Sequence, residues 1–159
     1  MTSQEIYDRL KGKFGDAILE FKADAVVDPF ITVAPGRMKE IGLYLREESG
    51  LEFDYLMCLS SVDSNDGNLA VVYHLNSLKH GHKLTIKVKV SRDSPVVQSV
   101  EGVWKSANWH EREAFDMMGI RFEGHPDLRR ILCPDDWEGH PLRKDYKVQE
   151  FYHGMKVPY

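Results

Sequence analysis

The spacing of apolar residues predicts two helices and two short strands in the first part of the chain. Four apolar residues between positions 6 and 14 recur at helical intervals, just after a threonine and a glutamate in capping-box spacing. Residues 35–49 carry a second apolar helical face that begins at a proline, which the first turn of a helix tolerates. The apolar runs 18–21 and 25–33 predict strands, and a proline marks the second run as an edge strand or a bulge.

Three further strands follow as a predicted meander of two hairpins. The run 53–62 is almost continuously apolar, as in a central strand, and turn-forming residues separate it from the run 69–75. Apolar and polar residues then alternate over 84–90, as in a strand with one exposed face. The intervening turn holds His80 and His82 on either side of a glycine. We expect these two histidines at a solvated hairpin tip.

The longest predicted helix spans residues 95–118. Ser94 is a suitable N-cap, Gly119 is a suitable terminator, and the residues between them place one apolar stripe along the helix. Glu111 falls near the centre of that stripe, where a carboxylate is costly unless it is paired. We therefore expect Glu111 to have a cationic or multi-donor partner.

Beyond this helix the hydrophobic periodicity ends and prolines interrupt the chain. The tetrapeptide Glu-Gly-His-Pro occurs twice, at 123–126 and 138–141, among aromatic and charged residues. Such a segment cannot form a core of its own, yet its aromatic residues argue against disorder. The pattern predicts a globular domain, residues 1–118, and an extended C-terminal arm, residues 119–159, that is ordered by docking on its own domain or on another chain.

Together these elements predict an α+β fold with a mixed, largely antiparallel sheet, helices packed on it and an extended irregular arm. The formal net charge of −4 does not indicate a nucleic-acid partner. No apolar run approaches the roughly 20 residues of a spanning helix, so any membrane association should go through partner proteins. The two cysteines, Cys58 and Cys133, lie far apart, which favours a reducing compartment and a buried thiol at Cys58.

The histidines of the arm suggest a metal site as one alternative. His125 and His140 each precede a proline and have aspartates nearby, so a metal-dependent hydrolase can be drawn from them. The HExxH pattern fails after His110 and Glu111, because the second histidine is missing. Glycine-rich phosphate motifs and a GxSxG elbow are also missing from the sequence. We therefore expect no catalytic residue and no cofactor-binding or metal-binding residue in this chain.

Charged residues at the end of the predicted helix and in the arm favour a protein–protein interface instead. Their arginines alternate with aliphatic and aromatic residues, and arginine and tryptophan are common anchors of buried contacts. The prolines also extend the backbone in advance, which lowers the entropy lost on docking. A solvated surface remains the ordinary alternative for such charges.

Two segments resemble a known family. Residues 111–132, EREAFDMMGIRFEGHPDLRRIL, are similar to the signature of the C subunit, the 30 kDa subunit family, of respiratory complex I, the NADH:quinone oxidoreductase. Residues 134–146, PDDWEGHPLRKDY, resemble the same family. The resemblance is strong over the last third of the chain and compatible with the order of elements before it.

The resemblance and the charge pattern select one set of signature and interface residues near the end of the helix and in the arm. They are Glu111, Arg112, Glu113, Asp116, Gly119, His125, Pro126, Arg129, Arg130, Asp136, Trp137, Pro141, Arg143, Asp145 and Tyr146. We expect Glu111 to pair with Arg129, with Arg130 or with an arginine of the D subunit. We expect Trp137, Arg143 and Tyr146 to anchor the arm.

The resemblance implies a subunit without a cofactor in the peripheral arm of a proton-pumping translocase of the respiratory electron-transport chain. Its partners would be the D subunit, at the quinone site, and neighbours such as the B and I subunits, with FMN, iron–sulfur clusters and quinone bound by the partners. The chain would lie at the cytoplasmic side of the bacterial inner membrane, without a membrane span of its own. Two alternatives remain: the equivalent subunit of a related membrane-bound hydrogenase, and a free-standing metal-dependent hydrolase that uses His125 and His140.

Overall fold

The computed structural model describes residues 1–24 and 28–157. In these residues the helices are α1 Ser3–Phe14, α2 Met38–Glu47 and α3 Ala107–Met118, with 3-10 turns at Gly15–Ala17 and Pro35–Arg37. The strands are β1 Ile18–Lys22, β2 Phe30–Val33, β3 Tyr55–Asp63, β4 Asn68–Asn76, β5 Lys83–Ser91, β6 Val96–Gln98, β7 Arg121–Glu123, β8 Phe151–Tyr152 and β9 Met155–Lys156. The predicted strand at 25–33 is described from residue 28 onward, and its first residues lie outside the described part.

The main sheet has the strand order β1-β2-β5-β4-β3. Its neighbours pair antiparallel except β2 and β5, which pair in parallel. The successive pairings of β3 with β4 and of β4 with β5 confirm the predicted meander of two hairpins. The α+β class with a mixed, largely antiparallel sheet is therefore confirmed.

One face of the sheet and the helices share a single apolar core. On β5, Leu84, Ile86 and Val88 are buried whereas the intervening residues are more exposed, as the alternating pattern predicts. Ile6 of α1 and Ile41 of α2 belong to the same buried cluster. Each such side chain stabilises the fold by about 1.5–3 kcal/mol relative to an exposed one. This core fixes the sheet on which the functional residues are placed.

The first helix begins as the sequence predicts. The Thr2 side-chain oxygen accepts a hydrogen bond from the backbone N–H of Glu5 at 3.3 Å. The Glu5 carboxylate accepts one from the backbone N–H of Thr2 at 2.7 Å, which completes a capping box. The second predicted helix, 35–49, is found as the 3-10 turn Pro35–Arg37 continued by α2.

The predicted helix at 95–118 is wrong in its first half. Residues Val96–Gln98 form β6, which pairs in parallel with β7, and α3 begins only at Ala107. The β-branched pair Val96 and Val97 suits a strand, and its partner strand comes from residues beyond the helix. Local periodicity cannot reveal a pairing between segments on opposite sides of α3, so the apolar pattern alone predicts too long a helix.

The expected solvated hairpin tip is confirmed for His80, which is exposed, but is wrong for His82, and the expected burial of Cys58 is also wrong. His82 is buried, and its Nε2 donates to the carbonyl oxygen of Leu51 at 2.7 Å instead of lying at a solvated tip. Cys58 is half-buried instead of buried, and its Sγ lies 3.2 Å from the Ser60 hydroxyl. The burial of His82 involves Leu51, which is 31 residues away in the chain, so local sequence carries no signal of it.

The arm is largely irregular but lies against the rest of the chain. Ile120 and Phe122, just after α3, are buried in the core cluster. Beyond them, regular pairing is described only for the hairpin of β8 and β9. Within the described residues, none of the helices combines the length and the apolar character needed to span a membrane.

Candidate functional site

The carboxylate of Asp116, in the last turn of α3, holds three consecutive residues of the arm. Its Oδ2 accepts hydrogen bonds from the backbone N–H groups of Ile131, Leu132 and Cys133 at 3.0, 2.8 and 2.8 Å. Its Oδ1 accepts one from Nη1 of Arg130 at 2.6 Å. Asp116 is fully buried, so this cluster satisfies a charge that would otherwise be costly.

The pKa of Asp116 lies below its ordinary value. Burial alone would raise this pKa, but the hydrogen bonds from the Cys133 N–H, from Arg130 and from the Leu132 and Ile131 N–H groups outweigh burial. The side chain is therefore ionised at neutral pH. A buried carboxylate with one cation and several backbone donors forms a fixed clamp between helix and arm.

Arg130 extends the clamp along the arm. Its Nη2 donates to the carbonyl oxygens of Trp137 and Gly139 at 2.7 and 3.0 Å. Arg112, buried one turn before Asp116, donates from Nε and Nη2 to the carbonyl oxygens of Arg129 and Arg130 at 3.2 and 3.0 Å. The two guanidinium groups thus satisfy arm backbone groups that no regular secondary structure serves.

The arm also caps the C-terminal end of α3. An α-helix leaves its last four carbonyl groups without partners inside the helix. Two of these carbonyl groups accept backbone N–H groups: the Phe115 carbonyl accepts that of Gly119 at 2.8 Å, and the Met117 carbonyl accepts that of Leu142 at 3.1 Å. The other two accept side chains: the Asp116 carbonyl accepts Nδ1 of His140 at 2.9 Å, and the Met118 carbonyl accepts Nε of Arg143 at 2.6 Å. All four carbonyl groups are therefore satisfied.

The repeated Glu-Gly-His-Pro motif builds two similar clips on α3. Gly124 and Gly139 both have positive φ, 83° and 79°. His125 donates from Nε2 to the carbonyl oxygen of Asn108 at 3.1 Å, and its Nδ1 accepts the N–H of Asp127 at 3.0 Å. His140 binds the carbonyl of Asp116 at the other end of the helix. In each clip a left-handed glycine turns the chain so that the following histidine reaches a helix carbonyl.

Glu111 has several donors, as its place on the apolar stripe predicts, but they are not Arg129 or Arg130. Its Oε2 accepts a hydrogen bond from the Ser99 hydroxyl at 2.6 Å, and its Oε1 accepts one from the Val100 N–H at 2.7 Å. Arg129 instead pairs with Asp127 at 2.8 Å, and Arg130 pairs with Asp116. The expected pairing of Glu111 with Arg129 or Arg130 is therefore wrong. The turn after β6, where the sequence predicted helix, supplies the donors.

Burial dominates the protonation of Glu111. It raises the pKa of this carboxyl to about 7, although the hydrogen bonds from Ser99 and Val100 act in the opposite direction. His125 Nε2 lies 4.0 Å from Oε2 of Glu111, beyond hydrogen-bond distance, and binds the carbonyl oxygen of Asn108 instead. Burial also raises the pKa of Tyr73 well above its ordinary value, and Glu111 adds to that shift.

A second acidic residue, Asp63, fastens the arm to the main sheet. Its Oδ2 accepts the N–H of Lys144 at 2.9 Å, and its Oδ1 accepts Nη2 of Arg92 at 2.5 Å. Arg92 Nη1 lies 3.7 Å from a carboxylate oxygen of Asp145. The sequence did not indicate Asp63, Arg92 or Ser99 as site residues. The only signal for Asp63 is its position at a turn, which carries no information about the arm.

The expected anchors Trp137 and Tyr146 bind each other. Trp137 Nε1 donates to the Tyr146 hydroxyl at 3.2 Å. A side chain at Gly139 would come within 2.9 Å of the Tyr146 ring, so the glycine makes room for this pair. Asp136 accepts hydrogen bonds from the Tyr152 hydroxyl at 2.9 Å and from His153 Nε2 at 2.6 Å. The distal part of the arm therefore has its own contacts.

The remaining candidate residues are exposed or half-buried. Five of them are exposed: Glu113, Pro126, Arg129, Asp136 and Asp145. Pro141 is half-buried and follows the second histidine clip. In the part of the chain that the structure describes, no three His, Cys, Asp or Glu side chains come together in a way that could hold a metal ion.

Comparison with known proteins identifies the family. Residues 31–152 match the family model described as respiratory-chain NADH dehydrogenase, 30 kDa subunit. The chain is 56% identical over 155 residues to the C subunit of the NADH-quinone oxidoreductase of Chloroherpeton thalassium, covering 96% of this chain and 64% of that protein, or less than two thirds of it. It is 51% identical over 155 residues to the corresponding C subunit of Chlorobium phaeobacteroides, covering 96% and 93%.

Solved structures support the same assignment. A trypsin-resistant fragment of Nqo5 is 26% identical with a TM-score of 0.63, over 79% of this chain and 98% of the fragment. A chain of an archaeal membrane-bound sulfane sulfur reductase is 23% identical with a TM-score of 0.72, over 91% and 85%, and shows the shared fold. The resemblance inferred from residues 111–146 is confirmed. The chain belongs to the family of the 30 kDa subunit of the respiratory-chain NADH dehydrogenase.

Proposed function

We propose that this chain is a structural subunit without a cofactor in the peripheral arm of NADH:quinone oxidoreductase, and that it packs against the D subunit, which holds the quinone site. The observation that carries the proposal is the Asp116 clamp, which holds an irregular arm against α3 through buried polar groups. A segment ordered before binding loses less entropy when a partner docks on it. The clamp therefore prepares a surface for neighbouring subunits.

The finer assignments follow from family membership. The B and I subunits are proposed as further neighbours, and FMN, iron–sulfur clusters and quinone are proposed to be bound by the partners. The names of the relatives give NADH and a quinone as substrates of their whole enzymes. We place the chain at the cytoplasmic side of the bacterial inner membrane, held there through the complex.

The division of labour along the chain is part of the proposal. Residues 1–118 supply the folded support, and residues 119–159 supply the arm that docks on partner subunits. The arm's inner side is engaged by Arg112, Asp116 and Asp63. Its outer side carries exposed apolar residues, which mark interaction surfaces when they cluster. The signature residues that point inward would then position the arm, and the exposed ones would contact the partner.

Truncation tests this proposal in the assembled enzyme. The cut is placed after Gly124, because Ile120 and Phe122 belong to the core. We expect the truncated chain to keep the main sheet, to lose the arm contacts of α3 and to co-purify poorly with a tagged D subunit. A cut after Glu150 removes only the last hairpin and should leave assembly intact. Equal recovery of both truncated chains with the tagged partner would contradict the proposal.

The two alternatives receive less support. The first alternative is the equivalent subunit of a related membrane-bound hydrogenase. Against it, this chain is 56% and 51% identical to two C subunits of NADH-quinone oxidoreductase. Its likeness to a chain of the sulfane sulfur reductase complex shows only a shared fold. A hydrolase that uses His125 and His140 would need both rings at one centre. They bind carbonyls of Asn108 and Asp116, at opposite ends of α3 and about 12 Å apart along the helix axis.

A further inference from the structure

The outward side of α3 borders a groove made of two adjoining parts. One part, of about 680 Å³, is lined by α3 and by Ile131 and Leu132 of the arm. A second part, of about 320 Å³, is lined by α3, by β3 and by Leu142 of the arm. His110 and Glu113 line both parts, so the two parts adjoin at these residues along the helix. The groove follows α3 from Ser106 to Met117, about 17 Å.

The groove is flanked by large apolar side chains that face solvent. Trp109 is 70% exposed, Leu132 is 63% exposed and Leu142 is 57% exposed. Clustered exposed apolar residues mark interaction sites, and tryptophan is enriched among residues that dominate binding energy. Trp109 is not among the signature residues selected from the sequence.

The clamp fixes both walls of the groove. The N–H groups of Ile131 and Leu132 are bound by the Asp116 carboxylate, and the N–H of Leu142 is bound by the Met117 carbonyl. Each apolar wall is thus tied directly to the last turn of α3. Because these walls are held in place, a partner segment would meet a preformed surface.

The charged side chains along the groove indicate which kind of partner segment would bind there. Glu113 is exposed at the junction of the two parts, and no salt bridge involves it within residues 1–24 and 28–157. Lys105, which also lines the groove, pairs with Glu101 at 2.9 Å. The nearby guanidinium groups of Arg112 and Arg130 are engaged by arm carbonyls and by Asp116. Among the described residues, the junction of the two parts therefore presents a carboxylate without a salt-bridge partner, next to the exposed Trp109, Leu132 and Leu142.

We propose that this groove docks one segment of a neighbouring subunit, with a lysine or arginine opposite Glu113 and apolar side chains on either side of it. The inference rests on the proposed function, which supplies the neighbouring subunit. A length of about 17 Å accommodates about five residues of extended chain or three turns of helix. The signature residues Asp116, Arg112 and Arg130 shape this site from within, and Trp109, Glu113, Leu132 and Leu142 contact the partner.

Charge reversal in the assembled complex tests the proposal. Glu113→Lys places a cation against the partner's cation, so we expect the chain to leave the purified complex at least about tenfold faster. The matched control is Glu47→Lys, an exposed glutamate of α2 that does not line the groove. Leu132→Glu is compared in the same way with Leu78→Glu, since these leucines are 63% and 68% exposed. Equal dissociation of each variant and its control would overturn the proposal.

Cross-linking identifies the occupant. A photoreactive benzoylphenylalanine at position 109 should cross-link, in the purified complex, to a partner peptide with a lysine or arginine among apolar residues. Reversing that cation to glutamate should restore the retention of the Glu113→Lys chain. A cross-link to an acidic segment or to a second copy of this chain would overturn the proposal. If the unaltered chain does not co-purify with the complex, the proposed function itself fails; if it does and the groove variants behave as their controls, only the docking site fails.

Discussion

Asp116 Oδ1 and Arg130 Nη1 form a salt bridge of 2.6 Å that joins the last turn of α3 to the arm. Both groups are multiply bonded, since Asp116 also accepts three backbone N–H groups and Arg130 also donates to two arm carbonyls. The pair is therefore a junction at which helix, arm backbone and the outer groove meet. Two residues that the sequence selects as interface candidates therefore also support the fold from within.

Asp116→Asn should destabilise the full chain by about 3 kcal/mol, because an amide group would turn donor hydrogens toward donors and leave Arg130 without its counter-ion. Urea unfolding followed by tryptophan fluorescence measures the change. Asp127→Asn is the control, since Asp127 is an exposed arm carboxylate paired with Arg129. An Asp116→Asn chain as stable as this control would show that the clamp contributes little.

Because the pKa of Asp116 is lowered, the contact between Asp116 and the arm should be lost only in acid. A carboxylate whose folded pKa lies below its ordinary 3.8 contributes stability above that value and loses it as the pH falls through the folded pKa. We expect amide exchange of Ile131, Leu132 and Cys133 to lose protection below about pH 4, before the main sheet unfolds. Simultaneous loss in the arm and in β4 would contradict this order.

Glu111 should have the opposite pH dependence. Burial raises its folded pKa from 4.5 to about 7, so the folded chain keeps a proton that the unfolded chain releases, and stability falls as the pH rises through this range. The total loss is about 3 kcal/mol. Glu111→Gln should remove this dependence. The free energy of unfolding of the variant should therefore rise relative to that of the natural chain as the pH goes from about 5 to about 8.

Urea unfolding at the two pH values measures the effect of Glu111→Gln. Glu113→Gln, on the exposed side of the same helix, serves as the matched control and should change nothing. If the natural chain and the Glu111→Gln chain show parallel pH profiles, burial does not raise the pKa of Glu111 as described.

Asp63→Asn should loosen the arm from the sheet. The variant weakens the bonds to the Lys144 N–H and to Arg92, so trypsin should cleave after Arg143 or Lys144 about tenfold faster. Limited proteolysis with mass spectrometry reads the site and the rate. Asp66→Asn alters the same turn without touching the arm, and its cleavage rate should match that of the natural chain. If trypsin cleaves both variants at the same rate, Asp63 does not anchor the arm.

Gly119→Ala compared with Gly124→Ala separates backbone strain from crowding. Both glycines have positive φ, 71° and 83°, so each alanine should cost about 1 kcal/mol from conformation alone. At Gly119 an added Cβ would also lie 2.6 Å from His140 and from Arg143, whereas nothing lies within 4 Å at Gly124. We expect Gly119→Ala to lose about twice as much or more in urea unfolding. If both variants lose the same free energy of unfolding, then His140 and Arg143 move aside at little cost and the arm is not tightly packed against Gly119.

Much of the fold follows from local signals in the sequence. The capping box of α1, the meander of β3, β4 and β5 and the terminating Gly119 each depend on residues that are close together in the chain. Such features have short-range physical causes: a cap needs a donor three residues on, and alternation needs one covered face. The predicted helix over 95–106 failed because β6 is stabilised by a partner strand beyond α3.

The sequence by itself determined that Glu111 needed a cationic or multi-donor partner, and its motif indicated which family the chain belongs to. Only the tertiary structure decided the pairings: Ser99 and Val100 with Glu111, Arg130 with Asp116, and Lys144 with Asp63. A charge pattern states that partners are required, because burial of an unpaired charge is costly. Which donor arrives depends on how distant segments cross in space, and at α3 that crossing buries Glu111, Arg112 and Asp116 and leaves Trp109 and Glu113 exposed.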